Sequence, residues 1–163
     1  GNLVYGSKKD KGMALGVFPG LLWLDLGIKQ YIEENYDEKR EETTKIPGVV
    51  LRKFYNKGLI FSSFEKKKEL PVKVSLIGTG MLLLADVCAF GKKGKIFRKA
   101  GLTLATAGAV SNTYDRIAKG AVVDYIGYRG KNKFLNSLTA NLADFYIVTG
   151  IMLAQIGGRK RSE

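Results

Sequence analysis

The chain has 163 residues, the size of one domain. It carries 27 Lys and Arg against 15 Asp and Glu, no His and one Cys, for a net charge of +12. The missing His excludes a Ser-His-Asp triad, a His general base and the common zinc sites, and a lone Cys excludes an internal disulfide or a Cys-based metal cluster. A hydrolase built from this chain works with carboxylates, Lys, hydroxyls or a borrowed ion.

Such a charge points to nucleic acid or to an anionic membrane surface, and its placement decides between them. The mean hydropathy of −0.05 hides strong segregation along the chain. Lys8, Lys9 and Lys11 precede a first apolar stretch, Met13 to Ile32. A polar segment from Glu33 to Leu70 follows, with nine basic and eight acidic residues. Within it, Val49 to Phe54 and Leu59 to Phe64 read as short strands about the turn Asn56-Lys57-Gly58, which predicts a small sheet. Glu33 to Thr44 reads as solvated.

The second apolar stretch, Val74 to Gly91, is broken only by Asp86. Lys92, Lys93, Lys95, Arg98 and Lys99 come next without an acid, and then a charge-free stretch from Ala100 to Tyr114. A mildly basic connection, Arg116 to Lys133, leads to the last stretch, Phe134 to Gly158, whose only ionisable residue is Asp144, apart from one tyrosine, and Arg159, Lys160 and Arg161 close it. Each stretch reaches the ~20 residues of a helical span once one or two ionisable groups are admitted, and such groups in a span tend to be functional. The three basic clusters fall on one side of a four-span layout, which by the positive-inside rule puts both termini in the cytoplasm. The expectation is an all-α membrane protein, a single domain over 1–163, with helices at 13–32, 72–91, 98–117 and 137–157 and an outer β-containing loop at 33–70. Nucleic acid is not an expected partner.

Two carboxylates stand at the edges of apolar elements, Asp124 in Gly120 to Tyr128 and Asp144 in Asn141 to Phe145. Antiparallel helices with a short loop can bring them together at the outer face. Two carboxylates in a poorly solvated pocket resist double ionisation, so one holds a proton while the other activates water. The plainer alternative makes Asp124 a helix cap and Asp144 a polar helix contact. Asp115 reads as a structural ion partner near Arg116, and Asn112 as a substrate-binding amide or a helix tie. Asp25 and Lys29, spaced i,i+4, read as a pair on one helix face. Gly101, Ala105, Gly108 and their small neighbours permit close helix packing.

In order along the chain, Asp25-Leu26-Gly27-Ile28-Lys29, Asn56-Lys57-Gly58 with Phe61-Ser62, Gly108-Ala109-Val110-Ser111-Asn112 running into Asp115-Arg116, Gly120-Ala121-Val122-Val123-Asp124-Tyr125 and Asn141-Leu142-Ala143-Asp144 resemble the motifs of bacterial signal peptidase II, over nearly the whole length. The resemblance implies an aspartyl endopeptidase of the bacterial cytoplasmic membrane that cuts prolipoproteins before a diacylglyceryl-modified cysteine, without a cofactor or metal. It implies Asp124 and Asp144 as the catalytic dyad. Asn56, Gly58, Asn112, Arg116 and Asn141 would bind substrate or support the dyad, and Asp25, Lys29 and Asp115 would give structural support. It further implies lipid and lipoprotein partners, inhibition by cyclic peptides of the globomycin type, and a monomer with its site near the outer face. Ser111 before Asn112, Leu59-Ile60 after Gly58, and Phe145 after Asp144 depart from the family's usual residues. The rival expectations are a catalytically silent relative that binds lipidated peptides and a membrane scaffold.

Overall fold

The computed structural model describes residues 8–58 and 69–158. In chain order the elements are α1 (Lys8–Asn35), β1 (Glu41–Thr43), β2 (Val49–Asn56), α2 (Leu70–Phe90), α3 (Ile96–Lys119), β3 (Val122–Tyr128), α4 (Lys133–Ser137), β4 (Thr139–Ala140) and α5 (Leu142–Gly158). Helix α3 lies at the centre of the bundle, packed by α5, α2 and α1. Small residues make this possible. A Cβ on Gly108 would run into the Ala143 carbonyl, and one on Gly150 into the Gly101 carbonyl, so α3 and α5 meet backbone to backbone. The polar side chains of α3 are inside the bundle: Thr103, Thr106, Ser111, Asn112, Thr113 and Asp115 are all buried.

The outward faces are apolar instead. Ile77, Met81, Leu84 and Val87 on α2, and Val148, Met152 and Ile156 on α5, are exposed. A polar interior under an apolar coat is the arrangement a lipid solvent selects. Among the described residues two helices are long and apolar enough to cross a membrane by length and composition, Asp10–Asn35 and Leu70–Phe90, where the sequence pattern predicts four. Helix α3 is long but rich in small and hydrophilic residues, because its neighbours rather than lipid surround it. Helix α5 has 17 residues. It starts at Leu142, later than the predicted 137, because Asn132 caps the separate short helix α4 and Thr139–Ala140 then pairs with β3.

The strands form one antiparallel sheet in the order β1-β2-β3-β4. Strand β2 is the predicted Val49 strand, extended to Asn56. Its neighbours are β1, from a segment the sequence assigns to solvent, and β3, from one read as the edge of an apolar element. The predicted partner strand at 59–64, with Phe61 and Ser62, lies outside the described residues, as do Arg159 to Arg161. The β2–β3 register slips between Leu51 and Phe54, a bulge that leaves Phe54 opposite Asp124 and Asn56 opposite Val122. On β3, Val123 and Tyr125 pack with Ile32 and Tyr36 of the α1 end in a buried cluster. Strand alternation then turns Asp124 to the other face.

Candidate active site

The ends of α1 and α3, the start of α5 and strand β3 converge beneath the sheet. Helix α3 stops at Gly120, whose left-handed backbone (φ 72°) lets its N–H donate to the Arg116 carbonyl. The chain reverses there into β3, which sets Asp124 inside the protein at 1 % exposure. Helix α5 begins at Asn141 with a reciprocal cap. The Asp144 N–H donates to Asn141 Oδ1 at 3.0 Å, and the Asn141 N–H donates to Asp144 Oδ2 at 3.0 Å.

That cap fixes the Asn141 amide. With Oδ1 committed to Asp144, Nδ2 points the opposite way and donates to Asp124 Oδ1 (3.1 Å), to Asn112 Oδ1 (3.0 Å) and to the Val123 carbonyl (3.2 Å). Asn112 in turn donates from Nδ2 to Asp144 Oδ1 at 3.0 Å. The two carboxylates are thus joined through Asn141, whose side chain donates to Asp124 and whose backbone N–H donates to Asp144, and again through a relay in which Asn141 Nδ2 bonds Asn112 and Asn112 bonds Asp144. Asp124 Oδ2 accepts from Asn56 Nδ2 (3.0 Å) and from Thr139 Oγ1 (2.8 Å). Asn56 is oriented by its own turn, its Oδ1 accepting from the Gly58 N–H at 2.7 Å, with Gly58 at φ 88°.

Burial pushes the Asp124 carboxyl above its ordinary value. Hydrogen bonds from Asn56 and Thr139 pull it partly back, the negative Asp144 raises it and Lys29 lowers it.

A buried ionic cluster supports this layer from below. Lys29 Nζ, in a fully buried side chain, lies 2.9 Å from Asp25 Oδ2 and 2.9 Å from Asp115 Oδ2, and donates to Ser111 Oγ (2.9 Å) and Asn112 Oδ1 (3.0 Å). Asp115 Oδ2 also accepts the Val123 N–H at 3.0 Å, which anchors β3 to α3. Asp115 Oδ1 has no hydrogen bond but sits 3.3 Å from Lys119 Nζ, so that ion pair provides its compensation. Tyr125 donates its hydroxyl to Asp25 Oδ1 (2.6 Å) and accepts the Leu142 N–H (2.9 Å). Burial and the Asp25 charge raise the Tyr125 phenol far above its ordinary value, so it acts as a fixed donor.

The structure therefore brings together Asp124, Asp144, Asn56, Asn112 and Asn141, with Gly58 behind Asn56 and the Asp25, Lys29 and Asp115 cluster adjoining Asn112. Arg116 is placed differently. It feels the charges of Asp144, Asp124 and Asp115, but its described hydrogen bond goes from Nη1 to Ser75 Oγ on α2 at 2.8 Å. Thr139 is absent from the sequence-based site. It reaches Asp124 only because β4 folds back on β3, and no local spacing announces that. Tyr125 and Ser111 appear in the sequence only as motif neighbours, although both hold the ionic cluster. Among the described residues no group of three or more His, Cys, Asp or Glu is arranged to hold a metal.

Comparison with known proteins identifies the family of the chain. The family model for signal peptidase (SPase) II matches residues 17–157. A lipoprotein signal peptidase of Caldicellulosiruptor bescii is 35 % identical over 98 residues, which cover 60 % of this chain and 59 % of that protein. The chain thus spans less than two thirds of that relative's length. The lipoprotein signal peptidase of Streptococcus pneumoniae is 28 % identical over 139 residues, covering 83 % of this chain and 85 % of that one. Among solved structures, a bacterial membrane enzyme determined by the in meso method shares the fold with a TM-score of 0.75 at 23 % identity, covering 93 % of this chain and 95 % of that one. With the model matched across most of its length, the chain belongs to the signal peptidase II family, a family of aspartic peptidases.

Proposed function

We propose that this protein is a membrane aspartyl endopeptidase that removes the signal peptide of diacylglyceryl-modified prolipoproteins, cleaving before the lipidated cysteine, with Asp124 and Asp144 as its dyad. The observation that carries the reading is the sharing of Asn141. This one residue bonds both carboxylates, donating from its side-chain amide to Asp124 Oδ1 and from its backbone N–H to Asp144 Oδ2, and it does so from a helix start that fixes its orientation. Such a group holds two acids in register without competing for their protons.

In this mechanism the pair shares one proton, because burial opposes double ionisation. The anionic member draws a proton from water as that water attacks the scissile carbonyl. The protonated member gives its proton to the carbonyl oxygen, forming the tetrahedral intermediate. A proton then passes from the dyad to the leaving nitrogen as the C–N bond breaks. Asn56, Thr139, Asn112 and Asn141 supply donors that are already oriented, so no reorganisation is needed as charge moves.

The helices α1, α2, α3 and α5 act as four spans with both termini on the cytoplasmic side and the dyad near the outer face. The sheet lies over the dyad as a cradle at the membrane surface. Exposed Phe54 and Tyr55 on β2 and exposed Phe134, Leu135 and Leu138 at α4 suit it to lie against lipid and the substrate's acyl chains. The protein acts as a monomer, and globomycin-type cyclic peptides occupy the same cradle.

The test is cleavage of a diacylglyceryl-modified prolipoprotein peptide in detergent micelles by the protein and by its Asp124→Asn and Asp144→Asn forms. Cleavage before the lipidated cysteine, lost in both folded variants, is expected. Peptide binding without cleavage by all three forms would replace the peptidase with a silent binder.

A further inference from the structure

The far end of the bundle carries a second polar feature. Helices α2 and α3 run antiparallel, with Ser75 bonded to Arg116 beside the dyad, then Thr79 to Thr113, then Asp86 to Thr106. From Ser75 to Phe90 the helix rises about 23 Å at 1.5 Å per residue, so the α2–α3 turn sits most of a hydrocarbon core away from the dyad. There a cleft of about 80 Å³ is lined by Cys88, Ala89, Lys92, Lys95 and Arg98. That is several times the roughly 10–15 Å³ that one water needs.

Three cations and no acid line this cleft. The described ion pairs do not use Lys92, Lys95 or Arg98, and the neighbouring Asp10 is engaged by the buried Lys99 at 2.7 Å. The Arg98 guanidinium lies beside Gly158, where the C-terminal end of α5 favours a cation. Below the cleft, toward the middle of α2, Ile77, Met81, Leu84 and Cys88 are exposed at helical spacing and form one apolar stripe that leads into it. A cationic cap on an apolar stripe is complementary to an amphiphile with an anionic head. Basic pockets between spans on the cytoplasmic side take anionic headgroups by this logic.

We propose that the cleft binds the phosphate of an anionic phospholipid of the inner leaflet, its acyl chains lying along the α2 stripe. A zwitterionic lipid would bring an ammonium into a cleft that already holds three cations. A free phosphate would gain nothing from the stripe. The inference rests on the orientation of α2 in the membrane and not on the peptidase chemistry.

Cys88 is the only cysteine of the chain and lines the cleft, so it reports occupancy directly. The experiment measures the rate at which a neutral maleimide labels Cys88 in the full-length protein in nanodiscs of phosphatidylcholine, with and without phosphatidylglycerol. Phosphatidylglycerol should slow labelling several-fold, saturably. The Lys92→Gln/Lys95→Gln/Arg98→Gln variant should lose that protection, and Lys92→Gln alone should weaken it. Lys93→Gln, outside the cleft, should keep it. Thermal melts identify folded variants, and Lys92→Gln alone decides if the triple variant does not fold. Absence of protection, protection that survives loss of the lining cations, or equal protection by inorganic phosphate in pure phosphatidylcholine would each overturn the lipid site. Peptide cleavage is not read, so failure here is distinct from failure of the peptidase reading.

Discussion

Asn141 and Asp144 cap each other. The backbone N–H of each donates to the side chain of the other at 3.0 Å, so the turn that starts α5 also sets the rotamer of one acid. Helix start and proposed dyad are therefore one structure. This follows from spacing, since a cap residue and the residue three positions on lie within mutual reach.

Asn141→Ala removes a helix cap worth ~1 kcal/mol and also the amide donor to Asp124 Oδ1 and Asn112, leaving only the backbone N–H on Asp144. The expected result is a small drop in melting temperature with a loss of kcat of ~10²-fold or more, by analogy with removal of one preorganised donor. Asn141→Asp keeps the cap but turns an acceptor toward Asp124. It should be as inactive as the Ala form. Steady-state cleavage beside thermal melts in detergent separates the two effects, and an Ala variant with near-normal kcat would refute the bridging role.

The pH dependence follows from Asp124. Burial raises its carboxyl above the ordinary value of 3.8. An acid that holds its proton more tightly when folded contributes stability that is complete below the unfolded value and is lost as pH rises through the folded one. Wild-type melting temperature should therefore carry a component that declines across that interval. Asn56 and Thr139 both stabilise the anion, so Asn56→Leu and Thr139→Val should each move the acid limb of the kcat/KM profile to higher pH. Profiles that coincide with wild type would show that neither donor tunes the dyad.

Much of this was legible in the sequence, and the reason is cost. Asp25, Lys29, Asn112 and Asp144 stand inside apolar stretches and Asp115 at the end of one, where a polar group survives only with a partner. What stayed hidden depends on contacts between distant segments. Gly120 to Tyr128 is apolar enough to pass for a helix edge, and only pairing with Val49–Asn56 makes it a strand. Thr139 and Ser75 have nothing local to mark them. Lys99 reads as one of a solvated basic run, yet it is fully buried against Asp10, with its ammonium 5.7 Å from the centre of the Phe90 ring. The low apolarity of α3 likewise reflects its place at the bundle centre, which no local window shows.

Tyr125 tests whether the ionic cluster communicates with α5. Its hydroxyl is the link between Asp25 and the first N–H of that helix. Tyr125→Phe leaves two buried polar groups without that partner, at a cost of roughly 1–3 kcal/mol. The melting temperature should fall. Because Leu142 directly follows Asn141, whose backbone N–H and side chain hold the two acids, kcat should fall as well, with KM nearly unchanged. An unchanged kcat in a destabilised variant would confine Tyr125 to folding.

Lys29 offers the sharpest stability prediction. Its ammonium lies within 3.0 Å of Asp25, Asp115, Ser111 and Asn112, and its side chain is fully buried. Lys29→Met strands two buried carboxylates, and breaking one partner of a buried pair typically costs ~3–5 kcal/mol. The variant should express poorly or melt far below wild type. Adding Asp25→Asn removes one stranded charge while Lys119 still compensates Asp115, so Lys29→Met/Asp25→Asn should recover part of the melting temperature. It should not recover full activity, because Asn112, whose Nδ2 bonds Asp144, has still lost one of the two donors to its Oδ1. Melting curves of the two variants in one detergent decide the matter. A double variant less stable than the single one would mean that Asp25 stabilises the fold chiefly through Tyr125 and Ser111 rather than through Lys29.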